Sequence, residues 1–202
     1  MLTPHKEHFR RPAEIVARFF LRLGFSPNGL TLFGLLMGLM TCLIFIWTRN
    51  PALFGFLMIF WGLFDAVDGA AARLTNRVTK FGSYLDAMCD RLFEVSTILA
   101  AAYVTGYWAI SFLLAAGVLM VSYAKARAAM EVTISNTEWP DFMERTERDM
   151  IYAIGLILWG FFPQLFFGRD LFFWMLVGLN IALYFTFLQR FFRAKRLIES
   201  RA

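Results

Sequence analysis

Asp65, Asp68, Asp86 and Asp90 are carboxylates set in or beside strongly apolar stretches, at helical spacing. On a helix advancing about 100° per residue, Asp65, Asp68, Gly69 and Ala72 share one face. Gly82, Asp86 and Asp90 recur at i, i+4 and i+8, a single stripe. The segment from Thr75 to Phe81 is short enough to bring the two stripes face to face. One like-charge pair at about 4 Å costs about 4 kcal/mol at an effective dielectric near 20, so protons or cations must relieve the repulsion. His5 and His8 are far away in sequence, and Cys42 and Cys89 have no metal or redox spacing. An all-oxygen set favours Mg²⁺, with Mn²⁺ as the alternative, over zinc. Two such ions balance four carboxylates and suit phosphoryl chemistry. Gly69, Ala72 and Gly82 remove side-chain bulk beside the acids, which leaves room for a ligand or for close helix packing. The competing reading, structural ion pairs with Arg73, Arg77 and Arg91, is weakened by the number of acids and the small residues between them.

The elements that must position these acids are membrane helices. Of 202 residues, 59% are hydrophobic and only 17% charged, below the roughly 25% charged of soluble domains. That balance excludes disorder and argues against a soluble domain. Cysteine usage supports no disulfide framework, and no apolar leader with a cleavage site is read at the N-terminus. Uncharged runs predict spans over 23–48, Ala52 to Leu74, Gly82 to Val104, Tyr107 to Ala128, 150–168 and 171–189. The uncharged run 95–124 is about 45 Å long as one helix, too long for a core of about 30 Å, so Thr105-Gly106 is read as a break. From Phe9 to Leu23, Arg10, Arg11, Glu14, Arg18 and Arg22 alternate with Ile15, Val16, Phe19, Phe20 and Leu23, which predicts an amphipathic helix on the membrane surface.

Charge tests this map. Net charge is +5, and of 20 Lys and Arg only Arg49 and Arg169 fall on the far side of a six-span layout. The positive-inside rule then places both termini, and the span ends that carry the acids, on the cytosolic side. The expected organisation is a cytosolic surface helix over 1–24 and one six-span, all-α domain over 25–202. The polar segment Glu131 to Asp141 is a cytosolic loop in this layout, and Gly34-x-x-x-Gly38 is read as an intramolecular packing face.

Asp65-x-x-Asp68-Gly69-x-x-Ala72-Arg73, then Gly82-x-x-x-Asp86-x-x-x-Asp90 after eight residues, resembles the signature of the CDP-alcohol phosphotransferases at every fixed position. The resemblance extends to Pro27-Asn28-Gly29-Leu30-Thr31 and to the six-span layout. It implies transfer of a phosphoalcohol group from a CDP-alcohol to an acceptor hydroxyl, with release of CMP. By position, Asp65, Asp68 and Asp86 hold the metals, with Asp90 at the second metal and also the general base. Gly69 and Arg73 contact the cytidine and diphosphate, and Asn28, Gly29, Leu30, Thr31 and Thr79 complete the nucleotide pocket. A homodimer is implied by the family.

The acceptor is expected to be anionic, because Lys125, Arg127, Arg145, Arg148 and Arg190 all lie at inner span ends, and Arg grips phosphate in bidentate fashion. Positive-inside bias alone also places basic residues there. Ser122-Tyr123-Ala124-Lys125-Ala126-Arg127, Glu144-Arg145-x-Glu147-Arg148 and Gln189-Arg190 are similar to the prokaryotic phosphatidylinositol-phosphate synthases, although Thr146 sits where proline is common. That similarity implies inositol 1-phosphate as acceptor, held by Ser122, Lys125, Arg127, Arg148 and Arg190. The lipid chains, ester or ether, stay open. Glycerol 3-phosphate or serine is the alternative acceptor within the family. A cation transporter, the reading from another class, needs polar groups reaching both faces, whereas these acids cluster at one end. A lipid-binding relative without activity is disfavoured by the complete signature. Nucleic acid is not an expected partner, because the basic residues follow span ends.

Overall fold

The computed structural model describes residues 6–133 and 142–201, with side chains from residue 11 onward. Residues 134–141 of the expected polar loop lie outside the described residues. The chain is almost wholly helical: α1 (Lys6–Arg22), α2 (Pro27–Thr48), α3 (Pro51–Leu74), α4 (Lys80–Thr105), α5 (Trp108–Glu131), α6 (Arg145–Phe161) and α7 (Leu171–Arg201). Four of these, α2, α3, α5 and α7, are long and apolar enough to cross a membrane. This is an integral membrane protein with an all-α fold. The remaining two bundle helices differ for physical reasons: α4 carries its charges between Lys80 and Glu94, and α6, at 17 residues, is only about 26 Å long.

Local chemistry sets the helix starts, and three of those starts carry site residues. Ser26 caps α2 by accepting from Gly29 N at 3.1 Å, with Pro27 at the first helical position. Thr79 caps α4 by accepting from Gly82 N at 2.9 Å. Glu144 and Glu147 form a reciprocal capping box at the start of α6. At the opposite end of the bundle, Asn50 caps α3 ahead of Pro51, and Gly106 ends α4 at φ 76°, as the Thr105-Gly106 break predicts.

The expected fifth span, 150–168, ends early. Pro163 follows the last helical turn, and a two-stranded hairpin pairs Leu165 with Asp170 and Phe166 with Arg169 across Phe167 and Gly168, both at positive φ. The last helix instead runs beyond the expected residue 189 to Arg201.

Packing pairs α2 with α3 and α4, α3 with α6, α5 with α4 and α7, and α6 with α7. Phe45 and Phe54, stacked at 4.2 Å, anchor the main core between α2 and α3. Two glycines allow backbones to approach. A Cβ on Gly38 would stand 2.6 Å from the Phe93 ring of α4, so the Gly34-x-x-x-Gly38 face does pack within the chain. A Cβ on Gly55 would stand 2.6 Å from the Ala153 carbonyl oxygen, so Gly55 fixes how closely α6 lies on α3.

α1 rests on α3 through Ala13, Ala17 and Phe20, leaving Ile15, Phe19 and Leu23 exposed. Two small alanines and Phe20 face the protein, while Ile15, Phe19 and Leu23 face outward.

Candidate active site

α3 delivers Asp65 and Asp68, and α4 delivers Asp86. Carboxylate oxygens of these three lie within 4.8 Å of one another. α2 packs against both helices and closes one side of the gap. From its first turn the Thr31 hydroxyl donates to Asp68 Oδ2. Three converging oxygen donors fit a hard divalent cation, so the donor set in the structure agrees with the metal expected from sequence.

Asp90 stands apart from that trio. One turn further along α4, its Oδ2 is paired with Arg145 Nη1, from the first residue of α6. The same guanidinium reaches Asp65 Oδ2 at 3.3 Å through Nη2 and Asp149 Oδ2 at 3.5 Å through Nε. Arg145 thus spans the mouth of the site, from the α3 acid to the α4 acid. The ion pairs considered from sequence are not formed: among the described residues Arg73 and Arg77 pair with no carboxylate, and Arg91 pairs with Glu94.

Two cavities meet at the acids. One, of about 360 Å³, is lined by the first turns of α2 and α4 and the end of α3, including Asn28, Thr31, Asp68, Gly69, Arg73, Thr79 and Asp86. It gathers most of the expected nucleotide residues. Gly29 and Leu30 are not on its lining; Gly29 is occupied in the α2 cap, and Leu30 is fully buried under α1. A Cβ on Gly82 would come within 3.2 Å of Asn28 Oδ1, and one on Gly69 within 3.4 Å of Arg73 Nη1, so both glycines keep this cavity open. The other cavity, of about 200 Å³, runs into the bundle past Asp65, Asp68, Asp90, Arg145 and Arg148 to apolar residues such as Leu35, Met58 and Leu114. Thr31 and Asp68 line both.

Of the expected acceptor residues, only Arg148 lines the inner cavity. Ser122 accepts from Arg91 at 2.7 Å and donates to Val118 O at 3.1 Å. Arg127 is paired with Glu131 on α5, and buried Arg190 donates to Val121 O. Lys125 is on α5, off the lining of both cavities.

Three residues escape sequence reasoning. Arg145 was one of several cations at span ends, with nothing to mark it as the partner of the acids. Glu94 and Asp149 carry no spacing signal, yet Glu94 is buried against Arg148, and Asp149 lines the inner cavity.

An oxygen-only acidic cluster between two cavities, inside a helical membrane bundle, fits an enzyme of metal-assisted phosphoryl chemistry. The chain belongs to the CDP-alcohol phosphatidyltransferase family, whose sequence profile matches residues 25–188. It is 33% identical over 201 residues to an archaetidylinositol phosphate synthase from Pyrococcus horikoshii, covering 98% of this chain and 99% of that protein. The fold matches the Mycobacterium tuberculosis phosphatidylinositol phosphate synthase with CDP-DAG bound, at a TM-score of 0.79 and 25% identity, over 91% of this chain and 94% of that one. The same enzyme in complex with manganese and citrate matches at 0.79 and 25%, over 90% and 88% of the two chains.

Proposed function

We propose that this enzyme transfers the phosphatidyl group of a CDP-linked lipid to inositol 1-phosphate, giving a phosphatidylinositol phosphate and CMP. The observation that carries the reading is the pair of cavities meeting at Asp68 and Thr31. In-line displacement at phosphorus needs the leaving group on one side and the nucleophile on the other. The polar cavity with Asn28, Gly69, Arg73 and Thr79 suits the cytidine diphosphate, and the inner cavity with Asp90 and Arg148 suits the acceptor.

In this reading an acceptor hydroxyl attacks the phosphorus that bears the lipid. Asp90 takes the hydroxyl proton as the new P–O bond forms. The bond to the cytidylate oxygen breaks, and CMP departs into the polar cavity. Asp65, Asp68 and Asp86 would hold the divalent metals, with Asp90 at the second one, and Mg²⁺ is the ion we assign, with Mn²⁺ as substitute. Bound there, such ions would polarise the diphosphate and stabilise the leaving charge. Thr31 orients Asp68, and Arg145 orients Asp90 and Asp65.

Ser122, Lys125, Arg127 and Arg190 join Arg148 around the acceptor phosphate when substrate is bound, as the resemblance implies. Residues 25–202 form one six-span domain with α1 as a surface helix, and both termini and the acids face the cytosol. The end of the bundle opposite the acids holds Arg169, whose guanidinium lies over Tyr107 and Phe173. The chain works as a homodimer, as its family implies.

The test is CMP release. Purified protein with CDP-diacylglycerol, Mg²⁺ and labelled inositol 1-phosphate gives CMP and a labelled lipid. Turnover with glycerol 3-phosphate or serine but not with inositol 1-phosphate contradicts the acceptor assignment. The full-length similarity to the Pyrococcus protein favours an ether lipid as a second donor, so CDP-archaeol belongs in the same assay.

A further inference from the structure

Glu94 lies one helical turn beyond Asp90 on α4 and is 7% exposed. A buried carboxylate is costly unless paired, and here two guanidiniums meet it. Arg148 of α6, 4% exposed, donates from Nε to Glu94 Oε1 at 2.7 Å, and its Nη2 closes on the same oxygen. Arg91 Nη1 lies 2.9 Å from Glu94 Oε2 and donates to Ser122 Oγ on α5 at 2.7 Å. One buried acid therefore ties α4, α5 and α6 together. The Nε and Nη2 edge of Arg148 is occupied by Glu94, which leaves Nη1 as the nitrogen not engaged by Glu94, in a residue that lines the cavity with Asp90. Arg145 and Arg148 are the two cations on a lining that also holds Asp65, Asp68, Asp90, Glu94 and Asp149, and with Arg145 engaged by Asp90 and Asp65, Arg148 is the cation this cavity offers to an anion.

We propose that Glu94 is a positioning residue: it fixes Arg148 as the arm that receives the acceptor's phosphate, and so determines acceptor affinity without touching the CDP-lipid. This deepens the proposed function and rests on an anionic acceptor in the inner cavity. A merely structural ion triad makes a different prediction, because loosening it affects both substrates alike.

Glu94→Gln keeps the shape and an acceptor oxygen but removes the charge that orients Arg148. Expected is a rise of about tenfold in KM for inositol 1-phosphate, with KM for CDP-diacylglycerol changed less than about twofold. Calorimetric titration of inositol 1-phosphate into the detergent-solubilised protein shows the same loss. Glu94→Asp keeps the charge and the fold with a shorter reach, and its acceptor KM falls between wild type and Glu94→Gln. In an Arg148→Ala background, Glu94→Gln adds less than about twofold, because the partner it acts through is gone. Three results overturn the inference: equal shifts in both KM values, an acceptor KM unchanged or lowered in both Glu94 variants, or additive effects in the double variant. Failure of the wild type to use inositol 1-phosphate at all refutes the proposed acceptor instead, so the two failures are distinguishable. If Glu94→Gln does not fold, Glu94→Asp alone decides by its KM split.

Discussion

Arg145 and Asp90 are joined across the mouth of the site, the first residue of α6 to the second acid of α4. Because the same guanidinium also reaches Asp65, one side chain fixes the spacing between the acids of α3 and α4. Arg145→Lys keeps a positive charge but loses the planar fork that serves several carboxylates at once. CMP release by this variant is expected to fall about tenfold or more, measured at saturating CDP-lipid. An unchanged rate would show that the fork is dispensable.

Thr31 supports Asp68 from a third helix. Groups that hydrogen-bond a metal ligand from behind typically change metal affinity by about 10–100-fold when removed. Thr31→Val is isosteric and removes only the hydroxyl. Titrating CMP release with Mg²⁺ should therefore give a half-saturation concentration at least about tenfold higher, with the rate largely recovered at high Mg²⁺. A wild-type Mg²⁺ profile contradicts the role given to Thr31.

Much of this site is legible in the sequence, because carboxylates in apolar runs stand out. Asp65 and Asp68 share a face by simple periodicity, and the short link to Asp86 forces their helices together. The caps at Ser26, Thr79 and Glu144 follow from local chemistry. What sequence hides is tertiary. Arg148 and Glu94 meet only because α6 lies near the inner half of α4, 54 residues apart in the chain. Arg145 looks like one more inner-face cation until the packing of α6 on α3 brings it to the acids. The hairpin after Phe161 is hidden for another reason: Leu165, Phe166 and Phe167 continue the hydropathy of the helix before it, although Phe162-Pro163 and Gly168-Arg169-Asp170 mark a connection.

The approach of α6 to α3 depends on Gly55. A methyl group there would press on the Ala153 carbonyl, and a backbone oxygen cannot rotate away. Gly55→Ala is expected to destabilise the protein by about 1–3 kcal/mol, the usual cost of overpacking. Thermal unfolding in detergent measures it. Activity should fall with stability, since α6 carries Arg145 and Arg148. A midpoint equal to wild type would mean that the helices separate without cost.

Asp90→Asn keeps the shape of the proposed base and removes its ability to take a proton. Turnover is expected to drop by about 10²–10⁴-fold, the range for losing a general base. CDP-lipid binding should persist, because the polar cavity does not include Asp90. Near-normal turnover assigns the base elsewhere.

The central claim is that Asp65, Asp68 and Asp86, from two facing helices, hold a divalent cation together. The direct measurement is Mn²⁺ titration followed by electron paramagnetic resonance, on the wild type and on Asp86→Asn. The account predicts saturable Mn²⁺ binding to the wild type, competed by Mg²⁺, and a large loss of affinity in Asp86→Asn while the variant remains folded. Wild-type Mn²⁺ affinity in a folded Asp86→Asn protein, or no saturable binding to the wild type, contradicts it.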